Sequence, residues 1–302
     1  MTARVLPLFA LVIAATLHGA DTTPKKGPRP PPVQLTKAAL RQEERVYRTT
    51  PEGNLNLHFF IPQDAKPSDR RAAILFFHGM GGGAEGFFPD AQYFASRGLV
   101  SASADYPIIR GPTRNVIRAD ESIGHAKSAV RWLRAHASEF GVDPSKVIVA
   151  GGSWGGMVAL QTALVPGFDA PDDDRSISCE PNALVLFNPT VHPRADVANA
   201  AGETIAEKIS PARFQKANMP PAIFFYGTAD NLFEAGTKFV AKSKELGNRC
   251  VYFTAENQPH GFSGREPWLT ATTVEVDRFL VSLGYLSGES PLVPKADLTA
   301  VK

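Results

Sequence analysis

Ser153 has the surroundings of a nucleophile. It lies in the pattern Gly-x-Ser-x-Gly, formed here by Gly151 to Gly155, between an apolar run and a helical stretch. A serine on a sharp turn from strand to helix has its hydroxyl exposed above the edge of a sheet. Because a serine hydroxyl is a poor nucleophile at neutral pH, it needs a histidine to accept its proton and an acid to orient that histidine.

Candidates for these two partners follow later apolar runs. Asp230 ends the run PAIFFYGTAD, and His260 comes shortly after CVYFTAEN. The order serine, acid, histidine is the one that a strand-turn-helix nucleophile requires, so we predict that Ser153, Asp230 and His260 are catalytic. Other interpretations stay open at this point. Asp230 could instead cap a helix that begins near Asn231, His260 is one of seven histidines, and Glu234 is a competing acid.

The glycine-rich stretch HGMGGG, residues 78–83, directly follows the apolar run AAILFF. Acyl chemistry places negative charge on a carbonyl oxygen, and backbone N–H groups aimed at it stabilise that charge. We predict these donors to be the N–H of Trp154 and that of Met80 or Gly81. A flexible loop or a phosphate cradle is the alternative, but the sequence has neither phosphate pattern, GxxxxGK[ST] or a strand followed by GxGxxG with an acid downstream.

The elements that must position these residues alternate along the chain. Continuous apolar runs indicate parallel strands that are buried on both faces. An alternating segment from Val46, with turn residues at Pro51 to Asn54, predicts an opening hairpin. The chain is therefore α/β, with a mostly parallel central sheet and helices on both faces, in one catalytic domain over residues 33–286 and a C-terminal tail over 287–302. The predicted helices are Pro89–Ser96, Ala119–Phe140, Trp154–Leu164, Ala235–Leu246 and Ala271–Ser282.

With these motifs in place, the chain resembles the α/β-hydrolase superfamily, in its bacterial esterase/lipase branch. The similarity covers most of the chain after residue 32 and includes SADYPII, the long segment AVRWLRAHASEFGVDPSKVIVAGGSWGG, and YGTADNLF and QPHGF. Similar enzymes include secreted acetyl esterases and acetylxylan-esterase-like hydrolases. Two positions depart from the usual pattern, because Met80 interrupts HGGG and Trp154 replaces a smaller or more flexible residue.

The resemblance implies serine-dependent hydrolysis of short-chain carboxylic esters through an acyl-enzyme, without a metal or other cofactor. The substrate would be a small-molecule or glycan ester, with an acetyl group on a carbohydrate as one candidate. Aromatic residues near the predicted strand ends suit either a sugar ring or simple packing: Phe87, Phe88, Tyr106, Trp154, Phe233 and Trp268. There are two alternatives, a serine exopeptidase of the prolyl-oligopeptidase type and a non-catalytic binding protein on a hydrolase scaffold. The stretch between Asp21 and the first core strand near Ala72 is too short for the β-propeller that the peptidase would need.

The beginning of the chain predicts export. Residues 1–20 have Arg4, an apolar run and small final residues, which is typical of a signal peptide, and residues 21–32 form a proline-rich linker. We therefore expect a periplasmic or secreted protein without a membrane span. The formal charge of +2, from 32 basic and 30 acidic residues, indicates no nucleic-acid partner. Whether Cys179 and Cys250 form a disulfide, and what the oligomeric state is, stays open.

The acidic run Asp172 to Asp174 has two interpretations. We favour a solvated turn over a calcium site, because the run lacks ligands at alternating positions and a supporting glycine.

Overall fold

A computed structural model describes residues 40–111 and 116–302. The predicted signal peptide, the linker and the first residues of the predicted catalytic domain lie outside these ranges. Within them, the chain forms a nine-stranded sheet flanked by helices, together with a two-stranded hairpin. In the described part of the chain, no helix has both the length and the apolar character that crossing a membrane requires.

The strands occur in chain order as follows. They are β1 (Leu40–Thr50), β2 (Gly53–Pro62), β3 (Arg71–Phe77), β4 (Val100–Ala104), β5 (Ile109–Arg110), β6 (Val116–Ile117), β7 (Val142–Gly152), β8 (Ala183–Phe187), β9 (Ala222–Gly227), β10 (Cys250–Ala255) and β11 (Thr299–Ala300). The main sheet has the order β1-β2-β4-β3-β7-β8-β9-β10-β11, and β5 pairs with β6. Strands β4, β3, β7, β8, β9 and β10 are parallel, while the two strands at one edge and β11 at the other pair antiparallel.

The predicted hairpin is confirmed, because β1 and β2 pair antiparallel around a turn at Pro51 and Glu52. The predicted parallel core is also confirmed. Strand β8 is apolar at all five positions and is buried throughout. Such a strand needs cover on both of its faces.

Helices cover both faces of the sheet. They are α1 (Phe88–Ser96), α2 (Ala119–Ala135), α3 (Trp154–Leu164), α4 (Ala206–Ile209), α5 (Phe233–Glu245) and α6 (Trp268–Ser282). Along β3, Leu75 and Phe77 belong to one core cluster with residues of α2, α3 and α5. Ile74 and Phe76, which point to the other face because side chains alternate along a strand, pack with α1 and α6.

Helix α2 is shorter than the sequence predicts. The α-helix ends at Ala135, and a separate 3-10 turn follows over Ala137–Phe140. Gly141 then has a φ of 68°, a left-handed conformation that ends the turn and that glycine adopts without strain.

The segment after Leu286, predicted as a tail, contributes a strand to the main sheet. Thr299 and Ala300 pair with Thr254 and Phe253 of β10. The backbone N–H of Val301 also donates to the carbonyl of Tyr252 at 2.8 Å. This segment is therefore held to the edge of the sheet.

The acidic run is anchored by basic side chains. Asp173 pairs with Arg131 at 2.6 Å, Asp172 pairs with Arg48, and Asp174 accepts hydrogen bonds from Ser176 within its own turn. Among residues 40–111 and 116–302, no group of three or more His, Cys, Asp or Glu residues could hold a metal ion. Cys179 and Cys250 are both free and partly buried.

Candidate active site

Ser153 occupies a strained turn between β7 and α3. Its φ is 56° and its ψ is −117°, a conformation that is unusual for a residue with a side chain and that needs support from its surroundings. The support comes from the segment after β8. The N–H of Ser153 donates to the carbonyl of Phe187 at 2.9 Å, and its carbonyl accepts from the N–H of Thr190 at 3.1 Å.

Two glycines allow the helix after Ser153 to approach the sheet. A Cβ on Gly155 would lie 2.1 Å from the carbonyl oxygen of Phe77, and one on Gly151 would lie 2.4 Å from that of Gly155. No side chain fits in either space. The small residues of the Gly-x-Ser-x-Gly pattern are therefore required for packing at the nucleophile turn.

The structure brings the three predicted catalytic side chains into one hydrogen-bonded chain. Nε2 of His260 lies 2.8 Å from Oγ of Ser153, and its Nδ1 lies 2.8 Å from Oδ2 of Asp230. The Asp230 side chain is fully buried, while 38% of the His260 side chain is exposed. This geometry lets an imidazole take a proton from a serine while a carboxylate holds the other ring nitrogen.

Asp230 also supports the polypeptide around it. Its Oδ1 accepts a hydrogen bond from the N–H of Leu232 at 2.8 Å, so one carboxylate both caps a turn and holds the imidazole. The competing acid, Glu234, is 81% exposed at its side chain and pairs with Lys238 at 2.6 Å. Of these two acids, Asp230 is the one that contacts His260.

The predicted oxyanion loop lies against the nucleophile. A Cβ on Gly79 would be 3.1 Å from the carbonyl of Gly152 and 3.4 Å from Cβ of Ser153, so the loop approaches the serine as closely as glycine allows. Gly81 has a φ of 77°. Trp154 is the first residue of α3, and the N–H of such a residue has no partner within its own helix. The start of the predicted oxyanion loop therefore lies beside Ser153, and Trp154 follows Ser153 directly in the chain.

Comparison with known proteins agrees with this geometry. Residues 118–213 match a family model described as alpha/beta hydrolase fold. Esterase 2 of Thermogutta terrifontis, in a structure phosphorylated by paraoxon, is 39% identical and has a TM-score of 0.75. The alignment covers 82% of this chain and 96% of that one. The chain belongs to the esterase/lipase branch of the α/β-hydrolase superfamily. The predicted family and fold class are thereby confirmed.

Further relatives of this α/β-hydrolase carry similar descriptions. The propionate-bound structure of the Thermogutta terrifontis enzyme is 40% identical, with a TM-score of 0.74, over 82% of this chain and 96% of that one. A probable carboxylic ester hydrolase, LipM of Mycobacterium tuberculosis, is 25% identical over 65% of this chain. The chain spans 49% of LipM, and it spans 8% of a polyketide synthase from Stachybotrys bisbyi that is 30% identical over 57% of this chain. The predicted enzyme class, carboxylic ester hydrolase, agrees with the solved structures and with LipM.

The aromatic residues near the strand ends of this hydrolase serve its core. Phe87, Tyr106 and Trp154 are buried. The other three, Phe88, Phe233 and Trp268, are partly buried and pack against the two core clusters. Packing therefore accounts for these rings.

Tyr106 also connects the predicted oxyanion loop to a polar cluster. Its hydroxyl donates to the carbonyl of His78, at the start of that loop. The neighbouring Asp105 lies 3.0 Å from Nε2 of His58. The hydrogen bond that His58 donates to Asp105 raises the pKa of His58 against the effect of burial. Burial acts to raise the pKa of Asp105, but its bonds to His58 and to the N–H of Asn56 lower it overall.

Sequence reasoning missed Asn188, whose side chain contacts His260. Nδ2 of Asn188 lies 3.4 Å from both ring nitrogens. A signal was available, because Asn188 directly follows the buried run ALVLF of β8. The carboxyl ends of parallel strands meet at the edge where ligands bind in such sheets.

Proposed function

We propose that this protein is a serine esterase in which Ser153 is the nucleophile, His260 the base and Asp230 the residue that orients His260. The observation that carries the proposal is the continuous hydrogen-bonded chain from Ser153 through His260 to the buried carboxylate of Asp230. Membership of the esterase/lipase branch of the α/β-hydrolase superfamily supports this proposal. Covalent modification of the Thermogutta terrifontis enzyme by paraoxon supports a nucleophilic mechanism in a relative.

The reaction proceeds in two halves. Oγ of Ser153 attacks the ester carbonyl carbon while Nε2 of His260 takes the hydroxyl proton. The bond to the alcohol oxygen then breaks, and the imidazolium returns the proton to the departing alcohol. Water repeats the sequence against the acyl-serine, so that the carboxylic acid leaves and the serine is restored.

Backbone N–H groups stabilise the negative charge of both tetrahedral intermediates. The donors are those of Trp154 and of Met80 or Gly81, and one such donor contributes about 3 kcal/mol. Trp154 supplies this donor at the start of α3, where the helix dipole also favours negative charge.

Short acyl groups are the proposed substrates. Structures of the Thermogutta terrifontis enzyme with propionate and butyrate bound support this size range. An acetyl group on a carbohydrate is the finer form of the proposal, and it rests on the sequence resemblance to acetyl esterases. Export to the periplasm or beyond, where such glycans occur, belongs to the same proposal.

The test is hydrolysis of p-nitrophenyl acetate by the wild type and by Ser153→Ala, purified side by side. We expect turnover only in the wild type, with both proteins folded by circular dichroism. Wild-type acetate release from acetylated xylan would support the carbohydrate substrate, and its absence alongside fast p-nitrophenyl butyrate hydrolysis would exclude it. Equal turnover by Ser153→Ala would overturn the nucleophile assignment.

A further inference from the structure

Asn188 carries a buried carboxamide that lies against the imidazole of His260. The residue is 2% exposed, and Nδ2 is 3.4 Å from both Nδ1 and Nε2 of the ring. The hydrogen-bonding directions of these nitrogens are already taken by Asp230 and Ser153. Because the two distances are equal, the carboxamide contacts the ring between its nitrogens and is not aligned with either one.

The backbone around Asn188 is fixed to the nucleophile as well. Phe187 and Thr190, on either side, hold the N–H and the carbonyl of Ser153. The N–H of Asn188 donates to the carbonyl of Phe225 at 2.7 Å, and its φ is 41°, in a region that asparagine tolerates better than most residues. One short segment, residues 187–190, therefore touches both the nucleophile and the base.

The resting fold does not explain why this side chain is polar. Oδ1 of Asn188 is buried without a hydrogen-bond partner in the described part of the chain. Such an acceptor destabilises a fold, and an apolar side chain would cost less to bury. The imidazole compensates this oxygen only when it carries a second proton, because the carbonyl dipole is then attracted by a positive ring, without a hydrogen bond to either ring nitrogen. A half-turn of the carboxamide exchanges Nδ2 for Oδ1 in the same position.

We propose that Asn188 is a positioning residue for His260. It holds the ring between Asp230 and Ser153, and it turns its carbonyl oxygen toward the ring when the ring is protonated during the reaction. Asp230 is the only charged group paired with the ring among the described residues. The inference rests on the proposed esterase function.

The test compares Asn188→Gly and Asn188→Asp with the wild type in p-nitrophenyl acetate hydrolysis. Glycine adopts the positive φ freely, so this variant removes the carboxamide without straining the backbone. We expect Asn188→Gly to lower kcat about 10- to 100-fold with KM nearly unchanged, and to move the acidic limb of the kcat/KM profile to lower pH. Asn188→Asp should move that limb about 1 unit to higher pH, because a carboxylate favours the protonated ring.

Asn248→Gly is the matched control. Asn248 is also buried, and its Oδ1 accepts from the N–H of Met219 at 2.9 Å, away from the three catalytic candidates. It should lower the free energy of unfolding while keeping the wild-type kcat and pH profile. A wild-type kcat in Asn188→Gly, or an acidic limb that stays in place, would overturn the inference. Failure of the proposed function would be separate, since the wild type itself would then show no turnover.

Discussion

At the scale of single residues, the site depends on which carboxylate lies behind the imidazole. Asp230 and Glu234 are four positions apart, but only Asp230 is buried against His260, while Glu234 lies in solvent with Lys238. A buried carboxylate keeps the imidazole in one tautomer and stabilises it when it becomes positive. An exposed, screened carboxylate has little such effect.

Replacing Asp230 with asparagine should therefore lower kcat about ten-thousandfold, because the amide keeps the shape but cannot hold the required tautomer. Glu234→Gln is the control and should keep the wild-type kcat. Steady-state kinetics on p-nitrophenyl acetate measures both. A large loss in Glu234→Gln together with a small one in Asp230→Asn would reverse the assignment.

A second residue-scale effect concerns stability in acid. His125 of α2 is buried, and its Nδ1 has no hydrogen-bond partner within the described ranges. Burial, assisted by the charge of Arg48, lowers the pKa of His125 to about 4 from 6.5. Between these values the unfolded chain binds a proton that the folded chain does not, so stability is lost as the pH falls through this window.

We predict that this single group removes about 3 kcal/mol from the free energy of unfolding across the whole window. Urea unfolding of the wild type and of His125→Leu, at several pH values from about 7 down to about 4, measures it. The variant should lose less stability than the wild type on acidification. The other histidines contribute equally to both proteins, so parallel curves would contradict the prediction.

At the scale of elements, the site forms where β3 and β7 end side by side. The loop after β3 supplies one predicted oxyanion donor, from Met80 or Gly81, and the turn after β7 supplies Ser153 and the second donor, Trp154. Glycine at position 79 lets the two approach, because its missing Cβ would touch the carbonyl of Gly152 and the side chain of Ser153. The absence of a side chain at position 79 therefore allows the loop to lie this close to Ser153.

Gly79→Ala should displace the loop by a few tenths of an ångström and lower kcat about 100-fold. Gly86→Ala is its control, because a Cβ at Gly86 would meet no atom within 4 Å. Kinetics and thermal unfolding of both variants separate a catalytic effect from loss of fold. An unchanged kcat in a folded Gly79→Ala variant would contradict the prediction, because it would show that the loop tolerates the added methyl group.

Helices α2 and α3 are coupled by a buried amine. Nζ of Lys127 on α2 donates to the carbonyl of Val165 at 2.8 Å and to that of Gly167, just after α3 ends. The last carbonyls of a helix have no partners within it. Lys127 thus satisfies the carbonyl of Val165, a buried residue at the end of the helix.

Lys127→Met should lower the free energy of unfolding by about 2 to 4 kcal/mol, because carbonyls are left unpaired while the apolar packing is largely kept. Chemical denaturation measures this loss. Lys238→Met, at an exposed position of α5, should change stability by less than about 1 kcal/mol. Similar losses in the two variants would rule out the capping role.

At the scale of the whole molecule, residues 287–302 connect helix α1 with strand β10 of the sheet. Nη2 of Arg97 donates to the carbonyls of Ser287 and Gly288, and the Tyr93 hydroxyl lies 2.8 Å from Oγ of Ser290. Farther on, β11 pairs with β10. The segment 287–302 therefore packs as part of the folded unit.

A chain that ends at Leu286 should lose about 3 kcal/mol or more of unfolding free energy, at about 1 kcal/mol for each hydrogen bond removed. The segment contacts α1 and β10 and not the three catalytic candidates, so kcat per folded molecule should stay at the wild-type value. Urea unfolding and kinetics test both statements. Wild-type stability after truncation would mean that the strand β11 contributes nothing.

The sequence by itself determined the fold class and the order of the catalytic candidates. Apolar runs such as ALVLF are local patterns that specify buried parallel strands. Since parallel strands all end at one edge, Ser153, Asp230 and His260 could be expected to lie near one another before any distance was known. The opening hairpin was likewise predictable from turn residues beside alternating strands.

Only the tertiary structure decided what depends on burial and on contacts between distant residues. It separated Asp230 from Glu234, assigned the aromatic rings to the core, paired the acidic run with Arg48 and Arg131, and placed a strand in the predicted tail. It also brought Asn188 to His260 across 72 positions of the chain. Local sequence patterns do not predict such contacts. The contacts form only when the order of strands in the sheet brings particular strand ends next to each other.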